Sequence, residues 1–106
     1  MQTVLRTDVD LEDAGAKVEE VKFDLSYARD AFLALRGEWF VAWMHERLDR
    51  IDEFGVNVRN NTHSGLRAPM KDVAAGHHAR GRVWRQFQEF FRKYDHMLTP
   101  TMCVSW

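Results

Sequence analysis

The sequence predicts a mainly helical α/β chain with two long helices and two short strands. The helices follow from apolar residues recurring at spacings of three and four, first along 26–51 and again along 69–94. The strands follow from β-forming residues interleaved with charges between Ala16 and Phe23, and from a short apolar run ending at Pro100. The chain has 106 residues, the size of one domain. Its hydrophobic share of 45% and charged share of 29% are those of a globular chain and argue against a disordered tail.

Taken in order, Leu11-Glu12-Asp13-Ala14 reads as the last turn of a helix, with Gly15 as the left-handed residue just past its end. No start signal precedes that turn, as though the helix began before Met1. Ala16–Phe23 reads as the first strand, carried by Val18, Val21 and Phe23 among Lys17, Glu19, Glu20 and Lys22. Its alternation slips between Val18 and Val21, through a bulge or a strand end.

The first long helix is expected over Ser26–Ile51, capped by Asp24 or Ser26. Its apolar face would hold Ala28, Ala31, Phe32, Leu35, Trp39, Ala42, Trp43 and Met44. Residues 52–69 read as a connection rich in turn formers, among them Asn57, Asn60, Asn61, Thr62, Ser64 and Gly65. Val56 and Val58 suggest a short extended piece there. The connection is long for a compact domain, so it either holds a short helix or lies against another surface.

Pro69 suits the first turn of the second long helix, expected to run to about Tyr94. Val83, Phe87, Phe90 and Tyr94 form its apolar stripe, widened by Trp84 and Phe91. Gly76 and Gly81 weaken it, each by about 1 kcal/mol relative to Ala. The second strand is expected at Met97–Thr99, stopped by Pro100, which cannot donate a ladder hydrogen bond.

Charge and composition exclude several classes. Fifteen basic and sixteen acidic residues leave a net charge of −1, so no global field attracts nucleic acid or a membrane. No apolar run is long enough to span a bilayer, and the first residues carry no secretory signal. The single cysteine, Cys103, excludes an internal disulfide framework and points to a reducing, cytoplasmic setting. It reads as a buried structural thiol. His45, His63, His77, His78 and His96 lack the i, i+4 spacing of a helical metal site, and no cofactor is implied. The acidic pairs Glu19-Glu20 and Asp52-Glu53 read as solvated surface. Phosphate-loop and nucleophile-elbow motifs are missing, and Ser26, Ser64 and Ser105 sit in no nucleophile-like turn.

The run Phe90-Phe91-Arg92-Lys93-Tyr94-Asp95-His96-Met97-Leu98-Thr99-Pro100-Thr101-Met102 resembles the C-terminal part of the amidase signature family. In that family a long helix ends in a phenylalanine-rich turn, followed by Tyr-Asp, a few apolar residues and Thr-Pro-Thr. Gly15-Ala16-Lys17-Val18-Glu19-Glu20-Val21 resembles an earlier strand of the same family, and Asp24-Leu25, the Ala31–Trp43 helix and Val58–Gly65 follow in the expected order. The similarity spans about residues 11–104.

The resemblance implies that both strands belong to the mixed sheet of an amidase-like fold, with 1–106 a single partial domain. It implies amide hydrolysis by a Ser–Ser–Lys set carried in a Gly/Ser-rich region that this chain does not contain. Lys17, Lys22, Lys71 and Lys93 match no part of that set, so no catalytic residue is assigned. Thr99, Thr101 and Met102 are the candidate pocket-wall residues, because sites in α/β folds gather at strand ends. A small-molecule amide would be a ligand only in the full-length family context, and self-association is expected through exposed strand edges. The alternative is a small helical interaction module without enzymatic activity.

Overall fold

A computed structural model of the chain describes residues 2–100, and among them every regular element is helical. The first helix, α1, spans Gln2–Asp13. Gly15 ends it at a positive φ of 94°. There the Gly15 amide donates to Glu12 O (2.9 Å) and the Ala16 amide to Leu11 O (3.0 Å). These paired bonds are a Schellman closure, the ending the Gly15 position predicts.

Neither expected strand forms among the described residues. Ala16–Phe23 and Met97–Thr99 both lie outside any regular element. A strand is stabilised only by a partner's hydrogen bonds and side chains, and local β-propensity cannot supply them. The fold is therefore all-helical over the described residues, not α/β. The open strand edges expected to drive self-association do not exist there.

The first long helix is shorter than its spacing predicts. A single 3₁₀ turn covers Ser26–Ala28, α2 spans Arg29–Met44, and 3₁₀ turns continue over His45–Glu53 with a break at Arg50 (φ −112°, ψ 16°). Asp24 starts the segment by accepting the Ser26 amide at 2.9 Å. That bond holds its carboxyl below the ordinary aspartate range. At the far end Arg50 leaves the helical path and grips Glu53, with Nη2 2.6 Å from Oε2 and Nε 3.1 Å from Oε1.

The stretch 52–69 holds a full helix, α3, over Val56–Arg67. Val56 and Val58 are helical and not extended. The polar residues that suggested a loop satisfy themselves on this helix. Thr62 Oγ1 donates to Val58 O (2.7 Å) and Asn61 Nδ2 donates to Asn57 O (2.7 Å). The fourth helix, α4, spans Met70–Phe90. Pro69 opens it, its carbonyl accepting the Asp72 and Val73 amides at 2.9 and 3.3 Å.

The chain divides into two compact units. One is Asp24–Gln88; the other joins the described parts of Met1–Phe23 and Glu89–Trp106. In the first unit α2 packs along α3, and the contact is made by absent side chains. A β-carbon on Gly37 would stand 2.8 Å from Gly65 Cα, closer than atoms can approach. Ala31, Gly37, Met44, Thr62 and Gly76 are the buried residues of this unit. Gly76, read from sequence as a weakness of α4, faces Leu35, whose Cγ a β-carbon there would meet at 3.2 Å.

The apolar face predicted for α2 is only partly internal. Ala31 and Met44 are buried, but Phe32, Trp39 and Trp43 point outward, as does Trp84 on α4. In the second unit the segment ending at Phe23 is held by aromatic contacts. Phe23 meets Phe90 edge-on at 5.4 Å, and Phe90 stacks on Tyr94 at 4.7 Å.

Candidate functional site

The first unit contains an open cleft of about 580 Å³ between α2 and α4. Its walls are built mainly from small residues: Ala31 and Ala34 of α2, and Ala75, Gly76 and Ala79 of α4. Their small side chains leave the space between the two helices unfilled. Tyr27, Asp30, Ser64 and Asp72 supply its polar groups.

One end of the unit is fastened by a clasp. Tyr27 Oη donates to Gln86 Oε1 (2.7 Å), Gln86 Nε2 donates to Asp24 O (3.0 Å), and the Arg82 guanidinium lies 4.0 Å over the Tyr27 ring. On the same two helices, His77 Nε2 of α4 meets Glu38 Oε2 of α2 at 2.8 Å. These contacts set the spacing of α2 and α4. Sequence reasoning singled out none of Tyr27, Asp30 and Gln86, because no local motif relates residues so far apart in the chain.

The cleft lining includes Ser64 together with the carboxylates of Asp30 and Asp72. Neither histidine nor lysine lines it beside Ser64. A nucleophilic hydroxyl needs such a base within hydrogen-bond reach. Among the described residues no group of three or more His, Cys, Asp or Glu side chains is placed to hold a metal ion.

In the second unit a charged cluster surrounds Glu19. Tyr94 Oη donates to Glu19 Oε2 (2.6 Å), Lys17 Nζ lies 3.2 Å from Oε1 and Lys93 Nζ lies 3.7 Å from Oε2. The Tyr94 hydrogen bond, foremost, and the two ammonium groups hold the Glu19 carboxyl below the usual glutamate range. The cluster tethers the segment before α2 to the turn after α4.

Of the sequence-predicted pocket residues, Thr99 is exposed past the α4 turn and is not among the residues lining the cleft. Thr101 and Met102 lie outside the described residues, as does Cys103. Among the described residues no helix is long and apolar enough to cross a membrane. Comparison with protein-family models, with curated proteins and with solved structures finds no match for the chain.

The remaining surface feature is the outer face of α2. Trp39 and Trp43 stack at 6.0 Å and 10°, and Phe40 meets each of them edge-on. The Arg36 guanidinium lies 5.8 Å from the Phe32 ring and 5.7 Å from the Phe40 ring, with Nε donating to Asn61 Oδ1 at 2.9 Å. Phe32, Trp39 and Trp43 are therefore displayed on the surface.

Proposed function

We propose that this chain is scaffold of an amidase-like hydrolase of carbon–nitrogen amide bonds in a cytoplasmic setting. In this reading it contributes a pocket wall through Thr99, Thr101 and Met102, and no catalytic residue. The observation that supports it is the segment Ala16–Phe23. It lies in no regular element and is held in place by the Tyr94–Glu19 and Phe23–Phe90 contacts. Tyr94 is the tyrosine of the Tyr-Asp/Thr-Pro-Thr run, so the pinning falls on the residues that carry the resemblance.

A second reading, a helical interaction module without enzymatic activity, is favoured by the outward aromatic face of α2. Co-expression separates the two. The chain is produced together with the polypeptide encoded immediately upstream of it, and hydrolysis of simple amides is assayed. Turnover by the pair, and none by the purified chain, supports the scaffold reading. A chain that never associates with an upstream product, or an upstream reading frame without a Gly/Ser-rich region, transfers the weight to the interaction module.

A further inference from the structure

We propose that the outer face of α2 is a self-complementary seam through which two copies of this chain pair antiparallel. Phe32, Arg36, Trp39 and Trp43 follow spacings of four, three and four. At about 100° per residue they share a stripe roughly 60° wide. That is the a/d pattern by which one helix docks along another. The stripe is open to solvent: Phe32 is 58% exposed, Trp39 62% and Trp43 50%. The opposite faces of α2 are already used, by Gly37 against α3 and by Glu38 against α4.

Charge selects both the occupant and its direction. A second copy laid parallel and in register would set Arg36 against Arg36, two guanidinium groups that are always charged. Laid antiparallel, the stripe maps onto itself with Phe32 facing Trp43 and Arg36 facing Trp39. The ends become aromatic pairs and the centre two cation–π contacts. Phe32 and Phe40 already flank the guanidinium within each copy, and Asn61 holds its Nε. The charge is therefore presented in a fixed place.

The area is sufficient. The outward aromatic side chains of one copy offer roughly 400 Å². With Arg36 and the flanking residues, the two copies reach the roughly 1,000 Å² that a specific interface needs. The inference stands apart from the amidase-like reading, because a scaffold piece and a free module alike can pair through α2.

Sedimentation equilibrium of the whole chain across a concentration series tests it. The expected result is a species of twice the 12.5 kDa chain mass. Trp39→Lys is expected to raise the dissociation constant by at least about thirtyfold, with helical circular dichroism unchanged. A chain that is monomeric throughout overturns the proposal, as does a dimer that survives Trp39→Lys.

Register is read by cross-linking in a Cys103→Ser background, which remains informative even where Trp39→Lys does not fold. A mixture of Phe32→Cys and Trp43→Cys chains is expected to form a disulfide between copies. Phe32→Cys alone is expected not to, because its two thiols would stand about 16 Å apart along the seam. Cross-linking by Phe32→Cys alone, or none in the mixture, overturns the antiparallel pairing.

Discussion

Gly37 and Gly65 meet backbone to backbone where α2 crosses α3. A β-carbon on Gly37 would stand 2.8 Å from Gly65 Cα, and one on Gly65 would stand 2.7 Å from Val41 Cγ2. Gly37→Ala and Gly65→Ala must therefore push the helices apart, at a cost of about 1–3 kcal/mol each. Gly81 is the control, since the nearest atom to a β-carbon there is Arg85 Nη1 at 3.6 Å, the end of a flexible side chain. Gly81→Ala should stabilise α4 by about 0.5–1 kcal/mol. Urea melts followed by helical circular dichroism measure all three, and equal shifts at the three positions would contradict the packing described.

Met44 and Trp84 are both large and apolar, yet they are predicted to differ sharply. Met44 is fully buried at the end of α2, whereas Trp84 is 65% exposed on α4. Met44→Ala should lower the unfolding free energy by about 2–4 kcal/mol through cavity formation. Trp84→Ala should change it by under about 1 kcal/mol. Thermal denaturation of the two variants decides the matter, with the larger loss expected for Met44→Ala.

Glu19 titrates below its usual range because the folded carboxylate receives the Tyr94 hydroxyl and sits beside Lys17 and Lys93. A depressed folded pKa means that the contact stabilises fully above the ordinary glutamate value. That contribution is lost as pH falls through the lower, folded value. The Tyr94–Glu19 tether should hold at neutral pH and release in acid. Side-chain carboxyl NMR should place the Glu19 midpoint below that of a free glutamate, and Tyr94→Phe should move it upward. A midpoint unaffected by Tyr94→Phe would remove the hydrogen bond as the cause.

Tyr27 fastens the start of α2 to α4 through its hydroxyl on Gln86 Oε1 and its ring under Arg82. Tyr27→Phe keeps the ring and loses the hydrogen bond, so it should cost about 0.5–1.5 kcal/mol. Tyr27→Ala loses both contacts and should cost more. Chemical denaturation of the two variants measures the difference, and equal losses would assign the whole effect to the hydroxyl.

Local signals in the chain were enough for the features that depend on neighbours in sequence. Gly15 predicts a left-handed helix ending and adopts one, Pro69 opens α4, and the spacings of three and four mark both long helices. Each is decided by the conformational range of one residue or by the geometry of a few turns. What tertiary structure decided is everything that needs a second element. The Ala16–Phe23 pattern suits a strand, but no partner strand forms among the described residues, so the segment joins no sheet. Asn57, Asn61, Thr62 and Gly65 read as loop, yet they form α3. Gly65 lets that helix approach α2 at Gly37, and the buried Thr62 hydroxyl donates to the Val58 carbonyl one turn back. The cleft polar groups Tyr27, Asp30, Ser64 and Asp72 come from distant stretches of chain that only the packing of α2 with α4 brings together. Periodicity shows that a helix has an apolar face. Whether that face turns inward, as at Met44, or outward, as at Trp39, is decided by which neighbouring backbone approaches closely enough to cover it.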